Sequence, residues 1–172
     1  MDEIADHAGV SKPVLYQHFP GKLDLYLALL AESCDEVIAS VRTALASTTD
    51  NQRRVAATIQ LWFDYVADQQ AAFRLVFESD LTNDPEVHDL IDRVNTESAQ
   101  AIAEIISEDT GLPPDAAYLL AVGLVGMGHT GARSWLATGS GLSKDEAVRL
   151  MTGLTWRGIG GFPQQTNPSE GA

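Results

Sequence analysis

The stretch Ile4-Ala5-Asp6-His7-Ala8-Gly9-Val10-Ser11-Lys12-Pro13-Val14-Leu15-Tyr16-Gln17-His18-Phe19 decides how this 172-residue chain is read. Ile4, Ala5 and Ala8 recur at helical spacing and face inward from a short helix. Gly9 then supplies the turn, Val10 plugs the corner, and Ser11 caps a second short helix. Pro13 falls in that helix's first turn, where a missing N–H costs nothing. Leu15 and Phe19 point to the core, leaving Lys12, Pro13, Val14, Tyr16 and Gln17 on the outer face. Two short helices joined in this way form a helix-turn-helix, whose second helix enters a DNA major groove with its N-terminal residues at base edges.

Extended to Pro20-Gly21-Lys22-Leu23-Asp24-Leu25, the segment from Gly9 resembles the tetracycline-repressor (TetR) family of transcriptional regulators, through the pattern S-x-x-x-L-Y-x-H-F-x-x-K-x-x-L. The resemblance implies that Tyr16 and Lys22 sit at phosphates and that Lys12, Pro13, Val14 and Gln17 face bases or backbone. Tyr16 has a hydroxyl to donate, and Lys22 adds its ammonium to a helix N-terminus that already attracts phosphate. Gln17 suits a specific contact, because its amide pairs bidentately with adenine. Val14 offers only apolar contact, such as with a thymine methyl. His18 is expected to hydrogen-bond structurally and close the turn. Family members carry another helix and a basic arm before the position of Met1. The sequence is thus expected to be either a fragment or mis-called start of a longer protein, or a chain that has lost part of its reading head. The 172 residues alone are expected to bind operator DNA weakly or not at all, although the complete parent binds. The second reading is a helical ligand-binding or protein-interaction module that no longer binds DNA.

Outward from this head the pattern is helical almost throughout, and the fold class is all-α. Leu23, Leu27, Leu30, Cys34, Val37/Ile38, Val41 and Leu45 form one stripe on a long helix. Asp50 caps a helix carrying Val55, Ile59, Trp62 and Val66, and residues 71–78 read as a short helix. Asp84-Pro85 starts a helix through Leu90, Ile91, Val94, Ile102, Ile105 and Ile106. Asp115 caps the next helix, which runs to about Ala137. Ser143 and Glu146 make a capping box for the last, near 144–158. The polar tail from Pro163 is expected to be disordered. The division is a partial helix-turn-helix over 1–26, a ligand-binding and dimerisation domain over 27–162, and a tail over 163–172.

Charge follows the same division. The formal net charge is -13, from 24 acidic and 11 basic residues, and this weighs against nucleic acid at first sight. Residues 27–110 hold 16 of the acids and 5 of the bases, whereas 111–172 balance 4 against 4. The acidity belongs to the middle of the chain. The single cysteine, Cys34, excludes a disulfide framework, reads as core and suits the cytoplasm. The four histidines are widely separated, and no metalloprotease, nucleophile-elbow or phosphate-loop motif is present, so neither a cofactor nor an enzymatic role is expected. Asp84 and His88, at i and i+4 within an acidic stretch, are read as a solvated face rather than a metal site. No membrane segment is expected.

By the resemblance, the larger region binds a small apolar or amphipathic effector and forms a homodimer on double-stranded operator DNA, with repression the commoner outcome. The pocket is expected among Trp62, Phe63, Tyr65, Phe73 and Phe77, joined by Tyr118 and Met127, with His129 and Arg133 placed to meet an acidic group. The helix from Asp115 is apolar nearly all round, so it is buried on more than one side. Its Gly123, Gly126, Gly128 and Gly131 each cost about 1 kcal/mol against alanine, which close approach of a neighbour would explain. With the last helix it is expected to form the dimer interface, through Leu120, Leu124, Trp135, Val148, Met151 and Leu154.

Overall fold

A computed structural model describes residues 1–68, 84–139 and 141–158. Among these there are seven helices and no strand: α1 (Asp2–Ala8), α2 (Lys12–His18), α3 (Lys22–Ala46), α4 (Asn51–Asp68), α5 (Pro85–Thr110), α6 (Pro114–Thr138) and α7 (Lys144–Arg157). The expected short helix at 71–78 and the tail from Pro163 lie outside the described residues.

The helices begin and end where their local chemistry dictates. Gly9 closes α1 in the left-handed region at φ 68°, and the Val10 N–H reaches back to the Ala5 carbonyl at 3.1 Å. Asp50 Oδ1 accepts from the Arg53 N–H at 2.9 Å, and Asp84 Oδ1 from the Glu86 N–H at 3.0 Å, so both carboxylates cap as their positions predict. Ser143 and Glu146 form the reciprocal capping box at α7. Two caps differ from expectation. Ser11 occupies the N-cap of α2, but its hydroxyl makes no capping bond. At α6 the N-cap is Pro113, which makes Asp115 the second helical residue, within the first turn, where its charge still favours the helix N-terminus.

The core is a stripe from each long helix: Leu30, Cys34, Val37 and Val41 of α3, Ile59, Trp62 and Val66 of α4, Val94, Ala99 and Ile102 of α5, and Ala117, Ala121 and Val125 of α6. Small residues predominate on the inner side of α6, and it packs closely on α5 and α4. At the other end of α3 the stripe does not continue inward. Leu23 is 44% exposed, and packing against the core begins only at Tyr26 and Leu27. The reason is positional: the first turn of α3 precedes the part of the helix that packs on the body. Ion pairs clasp the body from outside, Arg93 to Asp35 at 2.7 Å and Arg42 to Glu97 at 3.0 Å across α3 and α5, and Lys144 to Asp64 at 2.8 Å across α7 and α4. No described helix is long and apolar enough to cross a membrane.

Candidate functional site

The head is assembled by α1 and α2. Ala5 and Leu15 are buried between them, Ile4 and Phe19 are half-buried, and Ala8 and Val10 stand exposed, so Val10 does not seal the corner among the described residues. Ser11, Lys12, Pro13, Val14, Tyr16, Gln17, His18 and Lys22 are all exposed. The Phe19 N–H closes α2 on the Leu15 carbonyl at 2.8 Å. His18 therefore has no turn to close by hydrogen bonding, and its ring instead tilts against Phe19 at 6.4 Å. Lys12 Nζ donates to Asp2 Oδ2 at 2.7 Å across the two helices, and this bond holds the Asp2 carboxyl below its ordinary pKa.

Among the described residues, the helical body holds a half-open apolar cavity of about 360 Å³. That is within the roughly 300–1,000 Å³ usual for small-molecule sites. Its walls are aliphatic: Leu45 at the end of α3, Val55 and Ile59 of α4, and Ile102, Ile105 and Ile106 of α5. Leu124 of α6 and Thr155 and Trp156 of α7 complete it. Asn51, Arg54, Asp109 and Thr110 supply the polar rim. Arg54 is half-buried and committed: its Nε donates to the carbonyls of Leu45 (3.1 Å) and Thr48 (2.8 Å), and its Nη1 to Asn51 Oδ1 (3.0 Å) and Asp109 Oδ2 (3.3 Å). It ties the α3–α4 turn to α5 and defines the cavity's end.

The aromatic residues expected to form the pocket lie elsewhere. Trp62 and Phe63 are fully buried, and Tyr65 is nearly so, its hydroxyl pKa pushed up by burial. Trp62 and Phe63 are packed into the core and do not line the α3–α7 cavity. Phe73 and Phe77 lie outside the described residues. Tyr118 is half-buried against the core, while Met127 is exposed. His129 rests half-buried near the Trp62 ring, centroids 6.0 Å apart, with Nδ1 3.3 Å from the Val125 carbonyl. Burial, with a smaller contribution from Arg133, lowers its pKa and so favours the neutral ring, which suits an acidic ligand poorly. Neither His129 nor Arg133 lines the cavity. The sequence signal for this cavity's walls is slight: the adjacent Ile105 and Ile106 broaden the α5 stripe beyond what one packing row needs.

Asp84 is used as a cap and His88 Nε2 faces Asp92 at 3.1 Å, and no group of three metal-ligating side chains occurs among the described residues. Burial pushes the Cys34 thiol up to about 11, in keeping with its place in the core.

One face of the body is apolar and bare. Along α6, Leu119 is 72% and Leu120 51% exposed, followed by Val122, Met127 and Leu136, and Trp156 of α7 is 45% exposed. Of the six residues expected at a dimer interface, only Leu120 stands fully in this face. Leu124 lines the cavity, and Val148, Met151 and Leu154 are half-buried. Trp135 is committed within the chain, 5.5 Å from the Phe63 ring, with Nε1 donating to the Leu142 carbonyl at 2.9 Å. The apolar circumference of α6 thus divides into a small-residue side turned inward and a Leu-rich side turned out.

The head and the body match known proteins together. Residues 1–29 match the model for bacterial regulatory proteins of the tetR family. Over 163 residues the chain is 42% identical to the HTH-type transcriptional activator FasR of Mycolicibacterium smegmatis, spanning 95% of this chain and 74% of that protein. The chain belongs to the tetR family. An uncharacterized HTH-type transcriptional regulator of Mycobacterium tuberculosis is 26% identical over 98% of the chain and 76% of its own length. The fold is shared with a TetR/AcrR-family regulator from Thermobifida fusca (TM-score 0.68, 22% identity, 92% of this chain and 85% of that one). It is shared equally with FadR of Bacillus subtilis, solved with stearoyl-CoA (TM-score 0.72, 18% identity, 92% and 87%). As a tetR-family member the chain is a DNA-binding, ligand-responsive regulator of transcription, and the matches do not favour a helical module detached from DNA.

Proposed function

We propose that two copies of this chain act together on double-stranded operator DNA of two-fold symmetry, under the control of an apolar or amphipathic small molecule held in the α3–α4–α5–α6–α7 cavity. The observation that carries this reading is the cavity itself: aliphatic-walled, polar at one end only, and bounded by the helix that leads from the head. The stearoyl-CoA bound by the Bacillus subtilis neighbour supports a ligand with a long aliphatic chain. The bare Leu119–Leu120–Val122 face supports pairing, since an exposed apolar patch of this kind marks an interaction surface. Pairing would set two α2 helices in successive major grooves, roughly 34 Å apart. On α2, Lys12, Pro13, Val14 and Gln17 would face bases or backbone, and Tyr16 and Lys22 phosphates, with Ser11 and His18 framing the helix. The name of the Mycolicibacterium relative favours activation over the repression expected from the family at large. Such a protein works in the cytoplasm.

A mobility-shift titration of the full-length protein on its neighbouring intergenic DNA, with and without stearoyl-CoA, tests the reading. Ligand should change the midpoint severalfold. An unchanged midpoint at ligand concentrations shown to occupy the protein would overturn it.

A further inference from the structure

The polar end of the cavity holds an ion pair that is only half made. Arg54 Nη1 meets Asp109 Oδ2 at 3.3 Å, and Asn51 Nδ2 donates to that same oxygen at 2.8 Å. Guanidinium–carboxylate pairs are frequently bidentate, using two nitrogens and both oxygens. Here Nε is turned to the backbone of the α3–α4 turn, and neither Arg54 Nη2 nor Asp109 Oδ1 has a partner among the described residues. Both residues line the cavity, with 18% of the Arg54 side chain and 41% of the Asp109 side chain exposed. Arg54 Nη2 thus stays accessible, unlike the Thr155 hydroxyl, which is sealed from solvent. The other two hydroxyls are spent: Thr58 Oγ1 donates to the Arg54 carbonyl at 2.9 Å, and Thr110 Oγ1 to the Ile106 carbonyl at 2.6 Å.

We infer that the effector's polar end is an uncharged group that both accepts and donates a hydrogen bond, a hydroxyl or an amide, bridging Arg54 Nη2 and Asp109 Oδ1. This rests on the cavity being the effector site. The pair offers one open donor beside one open acceptor, and its charges already cancel. A hydroxyl or an amide N–H and C=O answers both without adding charge. An anionic head would gain Arg54 but face the Asp109 carboxylate at once, with Glu104 and Glu108 exposed on the same end of α5. An ammonium would be drawn to Asp109, repelled by Arg54, and would leave Nη2 without an acceptor. An ether or ester accepts from Nη2 and leaves Oδ1 unanswered. The aliphatic walls take the remainder of the molecule, so Arg54 and Asp109 together determine which polar end is accepted.

The test is calorimetry on the full-length protein with decanol, with its isomer methyl nonyl ether, which keeps the acceptor and lacks the donor, and with decanoate. Wild type should bind decanol roughly tenfold more tightly than the ether, the scale of one hydrogen bond to a charged group. Decanoate should bind more weakly than decanol. Asp109→Asn keeps an acceptor for Arg54 and Asn51 but puts an N–H donor in the place of Oδ1. The preference for decanol over the ether should then vanish, and decanoate affinity should rise severalfold. Glu108→Gln removes an equal charge from a side chain outside the cavity and should leave the decanol–ether ratio as it is. Equal binding of alcohol and ether by wild type would overturn the bridging role while leaving the cavity occupied. So would decanoate binding more tightly than decanol, or a full preference surviving in Asp109→Asn. Binding of none of the three would remove the cavity reading, and this inference with it. The wild-type comparison is decisive without any variant, so the test does not depend on how the asparagine protein folds.

Discussion

The indole of Trp62 lies so close over Gly128 that a Cβ at that position would sit 2.5 Å from Cδ1. Trp62 is fully buried, so it has no room to withdraw. Gly128→Ala should therefore destabilise the protein by about 1–3 kcal/mol, the usual consequence of overpacking a filled core. Gly123, on the exposed side of the same helix, has nothing within 4 Å of its built Cβ. Gly123→Ala should leave stability unchanged or raise it by up to about 1 kcal/mol through helix propensity alone. Thermal melts of the two variants side by side check the contrast, and a similar loss in both would refute it.

Acidification should weaken the fold through His129. The unfolded chain takes up a proton at the ordinary histidine value of 6.5, whereas the folded chain, with the ring half-buried and its pKa lowered, resists. The unfolded state thus binds more protons below that value. The stabilising contribution is complete above about pH 7 and is lost as pH falls through 6.5, by at most about 1.4 kcal/mol per pH unit. Urea midpoints at about pH 7.5 and 5.5 should separate more for wild type than for His129→Gln. An equal separation would show that other groups carry the dependence.

Lys12 is shared between Asp2 and any phosphate or base that α2 meets. Both side chains of the pair are exposed, so its effect on stability is expected to be small. The effect should appear on DNA instead. Asp2→Asn should strengthen operator binding, and Lys12→Ala should weaken it while lowering the slope of log K against log salt by about one. Fluorescence anisotropy across a salt series measures both, and an unaltered slope in Lys12→Ala would place that side chain away from phosphate.

Leu120→Asp puts a charge in the centre of the bare α6 face without entering the core. Sedimentation at micromolar concentration should move from dimer toward monomer, with helix content unchanged by circular dichroism. A variant that still sediments as a dimer would locate pairing on another surface.

The parts of this molecule that were legible in its sequence are those governed by near neighbours. Asp50, Asp84 and the Ser143–Glu146 pair cap helices because each reaches only two or three residues, and Gly9 turns the chain through its own backbone freedom. The Cys34 stripe and the helix-turn-helix were readable for the same reason. The cavity was not, because its walls come from five helices whose mutual placement no local pattern contains. Aromatic side chains were the natural pocket candidates, yet Trp62 and Phe63 are large enough to fill the space they enter. The isoleucines of α5 looked like ordinary core.

The α3 helix runs unbroken over 25 residues, from the edge of the head at Lys22 to the cavity wall at Leu45. At 1.5 Å per residue it is a rod of about 37 Å. A tilt of about 5° at one end of such a rod carries the other end roughly 3 Å, comparable with the width of a base-pair step. In the proposed mechanism, a ligand that tilts α3 at the cavity would displace the head by an amount that grows with the length of this helix.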